Sequence, residues 1–148
     1  MTNRFSCSGA SLEIPDGATS TKTTTDDGQV TYRFFVDPVI VIAIGTIEPV
    51  APALNLAAAI RAAYMESPGF QREASPQPDF PGDGVERGLL RFRWSARTGE
   101  QQASRVLVLR RADVAVAINA TAPASRIDEL DPTISEILGS VRLEPPAA

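Results

Sequence analysis

The 148-residue sequence contains no histidine. That removes the commonest general base, the Ser/His and Cys/His nucleophile pairs, and every His-containing metal site. Cys7 is the only cysteine, so neither an intramolecular disulfide nor a thiolate zinc cluster is available. Lys22 is the only lysine, and the arginines are spread along a chain of net charge −4. Phosphate recognition needs a dense basic surface, so a nucleic-acid partner is not expected. Gly-x-Gly-x-x-Gly, phosphate-loop and Gly-x-Ser-x-Gly patterns are all missing. The longest apolar run, 39–47, is far shorter than the roughly 20 residues a membrane span needs. The opening segment around Arg4 and Cys7 has neither a secretory nor a lipoprotein leader pattern. The expectation is a cytoplasmic chain without direct membrane insertion. With neither an internal repeat nor a linker, it reads as one domain over 1–148.

What is present is globular. Hydrophobic residues make up 43% and charged residues 22%, which excludes wholesale disorder. Ser11–Ile14 reads as a short strand stopped by the turn sequence Pro15-Asp16-Gly17. Residues 19–25 form a threonine-rich strand suited to a sheet edge, with Asp27-Gly28 as a hairpin signal. In 29–36, Val30, Tyr32, Phe34 and Val36 share a face, and 39–47 is apolar on both faces, as in a central strand. A helix is predicted over 52–67, with Leu56, Ile60, Ala63 and Tyr64 as its apolar stripe and Pro68-Gly69 as its stop. The proline-rich stretch 71–84 is a loop with a short edge strand at its start. Strands over 85–97, 103–111 and 114–121 then make an antiparallel meander. Asp131 reads as an N-cap, Pro132 as the first residue of a final helix with Ile134, Ile137 and Leu138 buried, and Gly139 as its end. A closing strand fits 140–143. The expected fold class is α+β: a curved antiparallel sheet with two helices packed on one face.

The remaining chemistry lies in carboxylates. Asp26-Asp27 belongs to a turn, and Asp128, Glu129 and Asp131 stand where a helix N-terminus favours acids. Asp79 and Asp83 lie in the proline-rich loop, where a solvated role outweighs metal chelation. Tyr32 and Tyr64 fall on apolar stripes and read as core. Cys7 reads as an incidental small residue, with only Arg4 as a basic neighbour. No enzyme, cofactor or metal site is expected.

Several strands do not alternate apolar with polar as a one-sided sheet should: Leu90, Phe92 and Trp94 oppose Leu89, Arg91 and Arg93, while Val106 and Val108 oppose Leu107 and Leu109. Something must cover the second face. Sheet curvature with loops and long hairpins folding over it is one explanation, and an exposed partner surface is the other.

The motifs Glu13-Ile-Pro-Asp-Gly17, Ser67-Pro-Gly-Phe70, Leu90-Arg-Phe-Arg-Trp94, 105–123 and Ser140-Val-Arg-Leu143, in that order, resemble the DcrB/PsbP-like superfamily. Within it the chain is most similar to the Eag-type chaperones of bacterial type VI secretion, departing from them in 19–25 and 75–84. The resemblance implies a homodimeric, non-catalytic chaperone or adaptor. Its partner would be the hydrophobic N-terminal segment of a secreted effector, held for loading on the spike. Strand alternation, not the resemblance, supplies candidate partner-binding residues: Phe35, Val39, Val41, Leu89, Leu107, Leu109, Ala117 and Asn119. The alternative is a module of the same superfamily that binds a small ligand or a protein complex, with no secretion role.

Overall fold

Period-two alternation of β-branched and aromatic residues builds most of the molecule. The computed structural model describes residues 2–7, 9–24, 26, 30–36, 39–47, 51–77, 82–112 and 114–144. The strands are β1 (Thr2–Cys7), β2 (Ala10–Pro15), β3 (Thr19–Thr24), β4 (Val30–Val36) and β5 (Ile40–Thr46). Helix α1 (Ala53–Ala62) follows, then β6 (Gln71–Arg72), β7 (Glu86–Ser95), β8 (Gln101–Arg111) and β9 (Val114–Pro123). A single 3-10 turn (Ala124–Arg126) leads into α2 (Ile127–Gly139), and β10 (Arg142–Leu143) closes the series. Seven strands form one antiparallel sheet in the order β3-β4-β5-β9-β8-β7-β6, and β1-β2-β10 form a second. The expected α+β class, the meander β7–β9, the threonine-rich edge strand β3 and the short edge strand β6 are all present. The Asp27-Gly28 turn, Asp79 and Asp113 lie outside the described residues.

Register fixes which side chains share a face. Tyr32, Ile44, Ile118, Leu107 and Leu89 are successive partners across five strands, so they form one row on one side of the large sheet. Phe35, Val41, Thr121, Ser104 and Phe92 form a row on the opposite side. The first side packs on α2 and on Leu12 and Ile14 of β2, in a core with Ile40, Ile42 and Leu109. The second side packs on α1 through Ala53, Leu56 and Ala57, which meet Leu90, Phe92, Val106 and Val108.

The two helices therefore lie on opposite faces, which corrects the expectation of one shared face. The physical reason is that β8 is apolar on both sides, with Leu107 and Leu109 on one and Val106 and Val108 on the other, and each side needs its own cover. Gly88 shows how tightly α1 is seated: a Cβ there would stand 2.8 Å from the Leu54 backbone. Glu86, two residues earlier, accepts a hydrogen bond from the Ala53 N–H and so caps α1 from the sheet.

Helix α1 stops at Ala62, short of the predicted end. Tyr64 and Met65 continue as turns bonded to carbonyls three residues back, and Tyr64 joins Phe92 and Trp94 at ring-centroid distances of 5.1 and 5.0 Å. Helix α2 begins earlier than predicted, at Ile127, so Asp131 is not its N-cap and Pro132 lies inside it. Burial of Ile127 and Leu130 draws this extra turn into the helix, and Asp128 and Glu129 occupy its first turn. Strand β1, largely polar and exposed, carries no sequence signal of its own.

Candidate functional site

Along β7, odd-numbered positions bring Arg87, Leu89, Arg91 and Arg93 to the face that carries α2. The register sets Leu89 opposite Leu107 and Arg91 opposite Arg105 of β8. Two guanidiniums placed directly opposite on neighbouring strands repel. Two carboxylates from distant parts of the chain resolve this. Asp131 of α2 accepts from Arg91 NH2 at 2.7 Å and from Arg105 Nε and NH2 at 3.2 Å each. Glu73 accepts from Arg93 at 3.2 Å and from Arg105 at 3.4 Å. Arg105 is itself only 4% exposed, so these partners offset the desolvation of a nearly buried charge.

The segment after β6 follows the β7 edge through side chains. Ser75 Oγ accepts from the Arg91 N–H, while the Gln77 amide accepts from the Leu89 N–H and donates to the Leu89 carbonyl. Gln77 thus stands in for a strand partner beside Pro76, which cannot donate. Nearer the start of β7, Asp83 makes a bidentate pair with Arg87 at 2.9 and 3.0 Å. The Arg87 hydrogen bonds hold the Asp83 carboxyl well below the usual carboxylate range.

Between this β7–β8 face and α2 lies a cavity of about 700 Å³. Its apolar lining is Leu89, Leu107, Leu138 and Val141, and its polar lining includes Arg91, Arg105, Asp131 and Arg142. Asp128, Asp131, Ser135 and Leu138 reach it because they recur every three or four residues along α2. The volume is that of a site for a small organic ligand. Its side chains are suited to holding an apolar body and a charged group. Both Asp131 oxygens are engaged by guanidiniums, and an arginine does not exchange its proton at ordinary pH. Among the described residues, no group of three or more His, Cys, Asp or Glu could hold a metal ion. No helix among them is long and apolar enough to cross a membrane.

The candidate partner-binding residues do not form one surface. Leu89 and Leu107 meet on the cavity lining. Leu109 is fully buried in the α2-side core, and Val39 packs against that same core. Phe35 and Val41 are register partners on the opposite face, where Ala117 packs with the α1 core and Asn119 donates to the Tyr64 hydroxyl at 3.1 Å. A sheet apolar on both sides is explained by a helix on each side, with one register row never able to reach the other.

Sequence reasoning missed the arginines. Their signal was present as Arg87, Arg91 and Arg93 at even spacing on one strand, but their carboxylate partners come from remote segments. Cys7 is buried, and burial together with the Glu144 charge pushes its thiol up to about 11, which makes it a poor nucleophile. Asp26 shows no role at the site.

No family model and no curated protein matches the chain. Solved structures do resemble it. The cyanobacterial PsbP protein CyanoP of Synechocystis is 14% identical, with 96% of this chain and 92% of that one aligned at a TM-score of 0.69. The Ran-binding protein Mog1p of Saccharomyces cerevisiae is 13% identical over 97% of this chain and 96% of its own, at a TM-score of 0.58. LpqN of Mycobacterium tuberculosis, involved in cell envelope biogenesis, is 16% identical over 98% and 91%, at 0.53. Identities this low speak for the fold alone. The chain has the Mog1/PsbP-like fold, α+β with antiparallel sheets and two helices.

Proposed function

We propose that the protein is a non-catalytic binding module whose ligand occupies the cavity between α2 and the β7–β8 face. The observation that carries this reading is the cavity itself: about 700 Å³, with Leu89, Leu107, Leu138 and Val141 beside an arginine-rich wall. A cleft of this size with apolar side chains in its wall gains stability when an apolar ligand displaces the water from that wall. The ion-pair network around Arg105 holds the wall rigid, so ligand binding would not have to order it.

The test is a thermal-shift screen of small organic molecules against the whole chain and against Ser135→Trp. Ser135 is exposed on α2 at the cavity mouth, so the indole blocks entry without entering the core. Ligands should raise the melting temperature of the parent chain and leave the variant unmoved. Absence of any hit, or hits that Ser135→Trp leaves intact, would overturn the reading.

The narrower role implied by the Eag resemblance is the second reading: a chaperone that holds a hydrophobic effector segment. Phe35, 37% exposed on the part of the sheet beyond α1, is the observation that favours it. In that case Phe35→Asp should abolish capture of an apolar helical peptide, and Ser135→Trp should not affect it.

A further inference from the structure

We infer that the ligand of this cavity is an amphipathic organic anion, an alkyl or aryl body carrying a carboxylate-like head. The inference rests on the binding-module reading and narrows it to a ligand class. Four arginines line the cavity (Arg87, Arg91, Arg105 and Arg142) beside two aspartates, Asp128 and Asp131. Asp83 and Glu73 add their charges from outside the lining, so the site is marked not by an excess of charge but by which guanidiniums keep donors.

The arginines are not equally occupied. Arg105 is nearly buried and shared between Asp131 and Glu73, while Arg87 is paired with Asp83. Arg91 uses only its NH2 group on Asp131 among the described residues. Arg142 donates only from NH1, to the Gly139 and Val141 carbonyls at 2.8 Å each, and has no carboxylate partner among the described residues. A guanidinium carries five N–H donors, so Arg91 and Arg142 keep donors for an incoming anion. Both border the same space as Leu89, Leu107, Leu138 and Val141. Charge-assisted hydrogen bonds from these donors beside an apolar wall match a ligand with a charged head and an apolar tail. A cation would face repulsion from the same guanidiniums. A neutral ligand would leave their spare donors to water.

Isothermal titration of the whole chain with octanoate, 1-octanol and octylammonium separates these cases, because the three share one tail and differ in head charge. Octanoate should bind about tenfold more tightly than octanol, the value of one good charge-assisted contact. Octylammonium should bind weakest. Arg142→Gln should cut octanoate affinity about tenfold and leave octanol unchanged, which a general loss of folding would not do. Raised salt should weaken octanoate alone. If octanol or octylammonium binds as tightly as octanoate and Ser135→Trp still blocks it, the anion inference fails while the cavity reading stands. If none of the three binds, the anion inference fails, and if the wider screen also gives no hit or Ser135→Trp has no effect on binding, the cavity reading fails with it.

Discussion

Replacing Asp131 with alanine should destabilise the protein through a charge it does not itself carry. The substitution removes three hydrogen bonds that hold Arg91 and Arg105. Arg105, 4% exposed in the parent chain, is left with Glu73 at 3.4 Å and the Ser104 carbonyl at 3.3 Å as its acceptors. It also faces Arg91 directly across the β7–β8 ladder with no anion between them. Removing one partner of a buried pair typically costs about 3–5 kcal/mol. Asp131 is about a quarter exposed and Glu73 stays in place, so the cost falls just below that range, at about 2–3 kcal/mol. For a domain of this size each kcal/mol moves the melting temperature by about 2–4 °C. Urea unfolding should show a lower midpoint with an unchanged slope. The pair Arg105→Met with Asp131→Leu should recover most of the loss, since the nearly buried charge is gone, Glu73 keeps Arg93, and Arg91, 29% exposed, can turn to water. A loss below about 0.5 kcal/mol for Asp131→Ala, or no recovery in the double variant, would refute the reasoning.

Gly88→Ala should cost about 1–3 kcal/mol in urea unfolding, because its Cβ would press on the Leu54 backbone and lift α1 from β7. Amide exchange should accelerate in α1 before α2, and unchanged stability would show that α1 is not seated there. Cys7 should resist thiol reagents in the folded chain at pH 8 and react once urea unfolds it. Its folded thiol titrates near 11, above an unfolded cysteine, so between pH 9 and 11 the native state holds a proton that the unfolded state has lost. That contribution to stability is full below pH 9 and is lost as the pH rises through 11, and Cys7→Ala should remove this part of the slope.

Much of the sheet was legible because its signal is local. Val30, Tyr32, Phe34 and Val36 alternate cleanly, and 85–121 reads as three long strands with short connections. The threonines of β3 mark an edge, where nothing apolar is needed. Two features defeated the reading, and both are non-local. Asp131-Pro132 has the form of a helix start, but Ile127 and Leu130 gain more by burial than the cap would give. The double apolarity of β8 was visible, yet strand periodicity does not say what covers a face, and α1 proved to be the cover. The site was half visible: Leu89 and Leu107 were identified, while the arginines beside them appear as a site only once Glu73 and Asp131 are brought to them by the fold.

The most direct measurement is a methyl-resolved NMR titration of the leucine- and valine-labelled chain with octanoate. The account predicts shifts at Leu89, Leu107, Leu138 and Val141, with Val41 and Val106 on the opposite face unmoved. Shifts centred on the Val41 face, or no saturable shifts anywhere, would contradict it.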